Sequence, residues 1–170
     1  MNPYPKINRT MAELQKGRKP RKRKQKTNGI KETPADKWFS RCIRERAGWK
    51  CERCGVQYTP PTGALHCSHV EGRGNWSVRF EPLNALALCY GCHRIIGSSP
   101  KGHEKLYKQV MGDEAWEVLG EKSEDHRLGK QFRQTCGKGE IASYFKSEYE
   151  RMLELRSQGI TGRLEFSGWL

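Results

Sequence analysis

Long apolar runs are missing from this chain. No stretch approaches the roughly 20 consecutive apolar residues that a membrane helix needs, so a membrane span is not expected. The opening MNPYPKINRT lacks the apolar segment of a secretory leader, and a cytoplasmic location is expected. Acid is scarce: 19 Asp and Glu stand against 32 Lys and Arg, a net charge of +13. That imbalance calls for a polyanionic partner, with nucleic acid ahead of an anionic membrane surface. Apolar residues make up only 35% of the 170 positions, enough for one modest core but not a large one. There is no internal repeat. Seven cysteines are present. Without an export signal they point to a metal site in a reducing compartment rather than to disulfides.

Four of those cysteines set the organisation of the chain. Cys51 and Cys54 form CERC, and Cys89 and Cys92 form CYGC, with His93 directly after. Two Cys-x-x-Cys pairs separated by a few tens of residues have the spacing of two zinc knuckles. Four thiolates complete a tetrahedral structural Zn²⁺ site with no open position.

Three regions follow. Residues 1–32 form a basic arm in which Lys16, Arg18, Lys19, Arg21, Lys22, Arg23, Lys24 and Lys26 have almost no acidic or apolar relief. Such a segment is expected to be disordered and to bind phosphates, with Arg21, Lys22, Arg23 and Lys24 as candidates. Residues 33–100 hold the zinc core. It begins with a helix capped by Thr33, carrying Pro34 and Asp36 in its first turn, and an apolar stripe of Ala35, Trp38, Phe39, Cys42, Ile43 and Ala47. Arg41, Arg44 and Arg46 are expected on its outer surface. ALHCSHV and LNALAL read as two short strands, and CYGCHRII as a turn into a helix. By alternation, Leu65, Cys67 and His69 share one face of the first strand, and His66 and Ser68 the other. Residues 101–170 form a helical extension: two short helices at His103–Gly112 and Asp113–Gly120, a polar connection over Glu121–Lys138, and a long helix from about Glu140 to Gln158. Phe166 and Trp169 are expected to dock on the body or at a dimer contact. The fold class expected is α+β.

The order His69, Asn84, His93 within this frame suggests chemistry. Hydrolysis of a phosphodiester needs a base for the attacking water, a cation for the developing charge, and a means of holding the base. A neutral imidazole suits the first role near pH 7. A hairpin crossed by a helix would bring His69 and His93 to one face. Asn84 could hydrogen-bond the backbone across it, and His93 could bind Mg²⁺, Mn²⁺ or a softer ion. Arg73, Arg79 and Arg94 are candidate phosphate contacts. His103 and His126 read as ordinary surface residues.

From about Trp38 to Ile96 the chain resembles the HNH (ββα-metal) endonucleases: Cys-x-x-Cys, His, Asn and Cys-x-x-Cys-His occur in that order. Within them it is most similar to the phage NinG (Rap) recombination nucleases, through FSRCIRER, the Arg79-Phe80-Glu81 run and EYERMLELR. The resemblance implies a small zinc-stabilised ββα-metal core with flanking helices and metal-dependent cleavage of duplex or branched DNA in recombination. His69 would be the general base, Asn84 a positioning residue and His93 a ligand of a catalytic Mg²⁺ or Mn²⁺. Many HNH enzymes place Asp before the base, where this chain has Ser68, a weak ligand that His66 could supplement. A homodimer is compatible with cutting two strands. Two other readings fit the same features: a catalytically silent zinc-stabilised nucleic-acid-binding module, and a homing-type HNH endonuclease with a long recognition site.

Overall fold

The computed structural model describes residues 30–135 and 138–169. The basic run containing Arg21, Lys22, Arg23 and Lys24 lies outside them. The described residues form an α+β fold of six helices and one two-stranded antiparallel sheet. None of the helices is long and apolar enough to cross a membrane.

Helix α1 (Pro34–Arg46) starts where the sequence places it. Thr33 accepts from the Asp36 amide, the Asp36 carboxylate accepts from the Thr33 amide at 2.6 Å, and Pro34 occupies the first turn. This reciprocal cap satisfies amides that the first turn would leave open. Phe39, Cys42 and Ile43 are buried on one stripe. Arg46, expected on the surface, is fully buried. Its guanidinium donates to the carbonyls of Pro82 at 2.8 Å and Ala85 at 2.6 Å and lies 3.5 Å from Glu52. It lies three residues beyond Ile43, so it falls on the same inward stripe; main-chain oxygens replace the water that its two terminal nitrogens give up, while its Nε is buried without a partner.

Strand β1 (Leu65–His69) pairs with β2 (Ala85–Cys89) in the register Leu65↔Cys89 to His69↔Ala85. Asn84, expected to open the second strand, ends a short 3₁₀ turn (Pro82–Asn84) just before it. Helix α2 (Tyr90–Gly97) leaves the end of β2 directly. A hairpin this small is marginal alone. Here α1, β2 and the helices beyond share one hydrophobic cluster.

Helices α3 (Pro100–Met111) and α4 (Asp113–Glu124) meet at Gly112, whose φ of 92° suits glycine and few other residues. Helix α5 (His126–Thr135) occupies what the sequence suggests is a polar connection. Helix α6 (Lys138–Ser157) packs along α1 and buries Ile141, Phe145 and Met152. Phe39 is the hub, with ring centroids 5.2 Å from Phe145, 6.0 Å from Phe80 and 6.1 Å from Phe166. The last segment docks on the same body: the Leu164 amide donates to the Arg46 carbonyl at 3.1 Å, and Arg163 pairs with Glu52.

Candidate functional site

Two centres flank the hairpin. At its open end, where β1 begins and β2 finishes, the ligand atoms of Cys51, Cys54, Cys89 and Cys92 lie within 4.8 Å of one another. Backbone amides reach two of the four sulfurs, while burial pushes the Cys92 thiol up to about 12. The Cys89 amide donates to Cys51 Sγ at 3.3 Å, and the Cys92 amide donates to Cys89 Sγ at 3.4 Å. The Cys92 hydrogen bond holds the Cys89 thiol down to about 7, so it ionises readily. An all-thiolate set at this spacing fits a tetrahedral zinc ion. The six cysteines among the described residues are all free of disulfides.

Along the hairpin's flank runs a cleft of about 510 Å³, whose lining includes His66, His69 and His93, the cations Arg44 and Arg73, and the carboxylates Glu32 and Asp36. His69 ends β1 and His93 sits on the first turns of α2. His66 reaches the cleft by register: paired with Leu88, it stands just below α2. Its ring centroid is 5.3 Å from that of His93. Burial, with the nearby His93 and Arg44, lowers the His66 pKa below the usual histidine value. A neutral imidazole beside another is a pair of nitrogen donors for a divalent ion. Such donors favour ions softer than Mg²⁺.

His69 is held from two sides. Its ring donates to the Arg79 backbone and packs 5.8 Å from the Phe39 centroid. Burial, then the charge of Arg73, pushes its pKa down to about 4. The imidazole is therefore neutral at pH 7, and its Nε2 has no protein partner. Asn84 is fully buried and fixes the loop after His69 at both ends. Its Oδ1 accepts from the Glu71 amide at 2.7 Å, and its Nδ2 donates to the carbonyls of Glu71 at 3.0 Å and Val78 at 2.8 Å.

Comparison with protein-family models, curated proteins and solved structures returned no match.

The geometry of the site corrects three expectations, those for Ser68, Arg79 and His103. Ser68 is only 2% exposed and does not line the cleft, so it cannot reach an ion beside His93. His66 does line it. Arg79 is 1% exposed. It binds both oxygens of Asp36, at 3.0 and 2.7 Å, and so is not a phosphate contact. Arg94 is exposed but lies over the Tyr90 ring at 5.7 Å, off the cleft. His103 is half-buried rather than a surface residue, with an unpartnered Nε2. Arg73 does line the cleft. So does Arg44, which the sequence does not single out; its Nε donates to the Leu65 carbonyl at 2.7 Å. Cys67 also borders the cleft, but burial pushes its thiol up to about 12, so it stays protonated.

The Asp36–Arg79 pair sets the backbone that holds His69. Burial raises the Asp36 pKa, but the hydrogen bonds from Arg79 and Thr33 outweigh it and keep the carboxyl below its usual value. Replacing Asp36 with Ala strands the Arg79 charge inside the protein and removes the α1 cap. A loss of about 3–5 kcal/mol is expected in urea unfolding. Asp36→Ala with Arg79→Met should recover part of it, because the stranded charge is gone. Equal stability of Asp36→Ala and wild type would contradict this account.

Proposed function

We propose that this chain is a metal-dependent DNA endonuclease of the ββα-metal (HNH) kind. One observation carries the reading: a single cleft is lined by a neutral, backbone-anchored histidine and by a pair of adjacent histidines. His66 and His93 would hold the divalent ion, which when bound supplies charge neutralisation at the phosphate and leaving oxygen. His69 takes the proton of the attacking water at Nε2, the nitrogen that the protein leaves uncommitted. The Arg79 backbone keeps the ring oriented, and Asn84 keeps the following loop closed against the hairpin. Arg44 and Arg73 supply positive charge along the walls for the flanking phosphates. The net charge of +13 favours a polyanionic partner for the chain as a whole. By its resemblance to the NinG group, the substrate would be branched DNA formed in recombination.

A second reading draws on the burial of that same Nε2. If the nitrogen never meets water, His69 is a core residue and the chain is a zinc-stabilised nucleic-acid-binding module. Plasmid nicking across a series of divalent ions decides between them. Nicking should be faster with Mn²⁺, Co²⁺ or Ni²⁺ than with Mg²⁺, because the donors are imidazoles. His66→Ala and His93→Ala should each lower the rate about 10–100-fold and raise the metal concentration needed. Equal nicking by both variants, or none by wild type with any ion, would remove the nuclease reading.

A further inference from the structure

Next to the cleft lies a second cavity that the hydrolysis described above does not use. Its volume is about 640 Å³. One wall is a single stripe of α5, His126, Gly129, Lys130, Arg133 and Gln134, spaced i, i+3, i+4, i+7 and i+8. The other wall is the loop Gly74–Ser77, with Trp76 at its centre. No carboxylate lines it.

The two walls are held close. Asn75 Nδ2 donates to the Ser123 carbonyl at 2.9 Å, and Ser77 Oγ donates to the Asp125 carbonyl at 2.7 Å. Gly129 permits the approach: a Cβ there would stand 2.7 Å from Ser77 Oγ and 3.0 Å from its amide nitrogen. Trp76 is fixed by Phe80 and Phe132, at centroid distances of 6.3 and 6.1 Å, yet is only half-buried. Two guanidiniums lie over the Trp76 ring: the buried Arg79 at 4.6 Å from the centroid, held by Asp36, and the exposed Arg133 at 5.6 Å, which is free to move away. A planar cation resting on a rigid indole at a cavity wall occupies the kind of place a nucleobase takes. Lys130 and His126 are exposed on the same stripe, within reach of the phosphates on either side.

The cavity and the cleft share one loop. Gly72 and Arg73 line the cleft, and Gly74 to Ser77 line the cavity. A strand leaving the cleft over Arg73 therefore meets Trp76 within a few residues. Stacking on an indole needs a free base face, which a base inside a duplex has already given to its neighbours.

We propose that this cavity binds one unpaired nucleotide of the DNA strand adjoining the cleft, with its base on Trp76 and its phosphates on Lys130 and Arg133. This rests on the nucleic-acid reading of the chain and specifies its substrate: DNA with an unpaired segment at the point of cleavage. Arg133 then leaves the ring for the phosphate when the base arrives.

The test uses the full zinc-loaded chain without other divalent metal. It is irradiated with a single-stranded oligonucleotide carrying one 5-iodouracil, and the adduct is mapped by peptide mass spectrometry. The expected adduct is on Trp76. The double variant Lys130→Gln, Arg133→Gln should lose that adduct. It should also bind flapped DNA at least about fivefold more weakly, at the low end of the value of one stacked base, with under about twofold change for blunt duplex. Adducts on other aromatics or within residues 1–29, no adduct at all, equal losses for both DNAs, or competition by thymidine monophosphate as effective as by the oligonucleotide would overturn the proposal. His69→Ala should crosslink like wild type. A failure of the hydrolytic reading therefore leaves this result standing, and a failure of this result leaves nicking unaffected.

Discussion

His69→Ala is expected to lower plasmid nicking by about 10²–10⁴-fold, the usual contribution of a positioned general base. The loss should fall on the rate at saturating metal and DNA, because His69 is assigned to neither ion nor phosphate. Folding should survive, since the ring's only assigned bond is to the Arg79 backbone and its Nε2 has no partner to lose. The pH profile provides a sharper readout. With its pKa pushed down to about 4 by burial and Arg73, the imidazole stays neutral throughout the mildly acidic range. A histidine of ordinary pKa, about 6.5, would be roughly nine-tenths protonated at about pH 5.5 and lose about tenfold in rate there. Wild type should instead keep nicking at about pH 5.5 within roughly threefold of its neutral rate, because protonation sets in only near the lowered value. A variant as active as wild type would rule out His69 as the base. An acid limb near the ordinary histidine value that persists when the metal is raised to saturation, so that proton competition at His66 and His93 no longer limits the rate, would show that the cleft leaves the His69 ring solvated.

The features legible in the sequence were those written into short stretches. Thr33, Pro34 and Asp36 specify the start of α1 through their own hydrogen bonds. The two Cys-x-x-Cys pairs specify their convergence, because each knuckle is a local turn and four thiolates need one another. Exposure does not follow from residue type or from alternation here. Strand β2 is buried from Ala85 to Leu88, covered on both faces, so a period-two pattern could not tell inside from outside, and Ser68 on β1 turned inward. Arg46 and Arg79 look like surface residues until their partners are known. Asp36 stands 43 positions before Arg79, and the oxygens that Arg46 meets are main-chain atoms with no signature at all. Helix α5 was hidden because its apolar residues Leu128 and Phe132 make too narrow a stripe, and its docking relies on Gly129, whose contribution is the absence of a side chain. The neighbourhood of His66 and His93 follows from the hairpin register, which only the paired strands reveal.

Removal of zinc is expected to have the largest effect on the fold. Cys51 and Cys54 follow α1, Cys89 closes β2 and Cys92 opens α2, so one ion would join three elements that otherwise meet through a hairpin of five-residue strands. Structural zinc contributes about 10–16 kcal/mol in small zinc-finger peptides, and here it would act on the part of the chain least able to hold itself. The α1–α6 interface, with Phe39, Phe145 and Met152 buried in it, does not depend on the thiolates. A strong chelator should therefore produce a partly folded chain that keeps helical circular dichroism but loses hairpin amide protection and all nicking. The sequence of events matters: His66 and His69 ride on β1 and His93 on α2, so the cleft loses its shape when the knuckles part. Cys51→Ser and Cys89→Ser should reproduce the chelated state. Cys42→Ser removes a thiol that donates to the Phe145 carbonyl at 3.3 Å and should leave the metal content at one zinc per chain. Cobalt added to the chelated protein should restore hairpin protection, with the thiolate charge-transfer absorption of a four-sulfur tetrahedral site. A chelated chain with intact hairpin protection and an unchanged melting curve would mean that the four thiols sit together without doing structural work. The geometry of the cleft would then need another source.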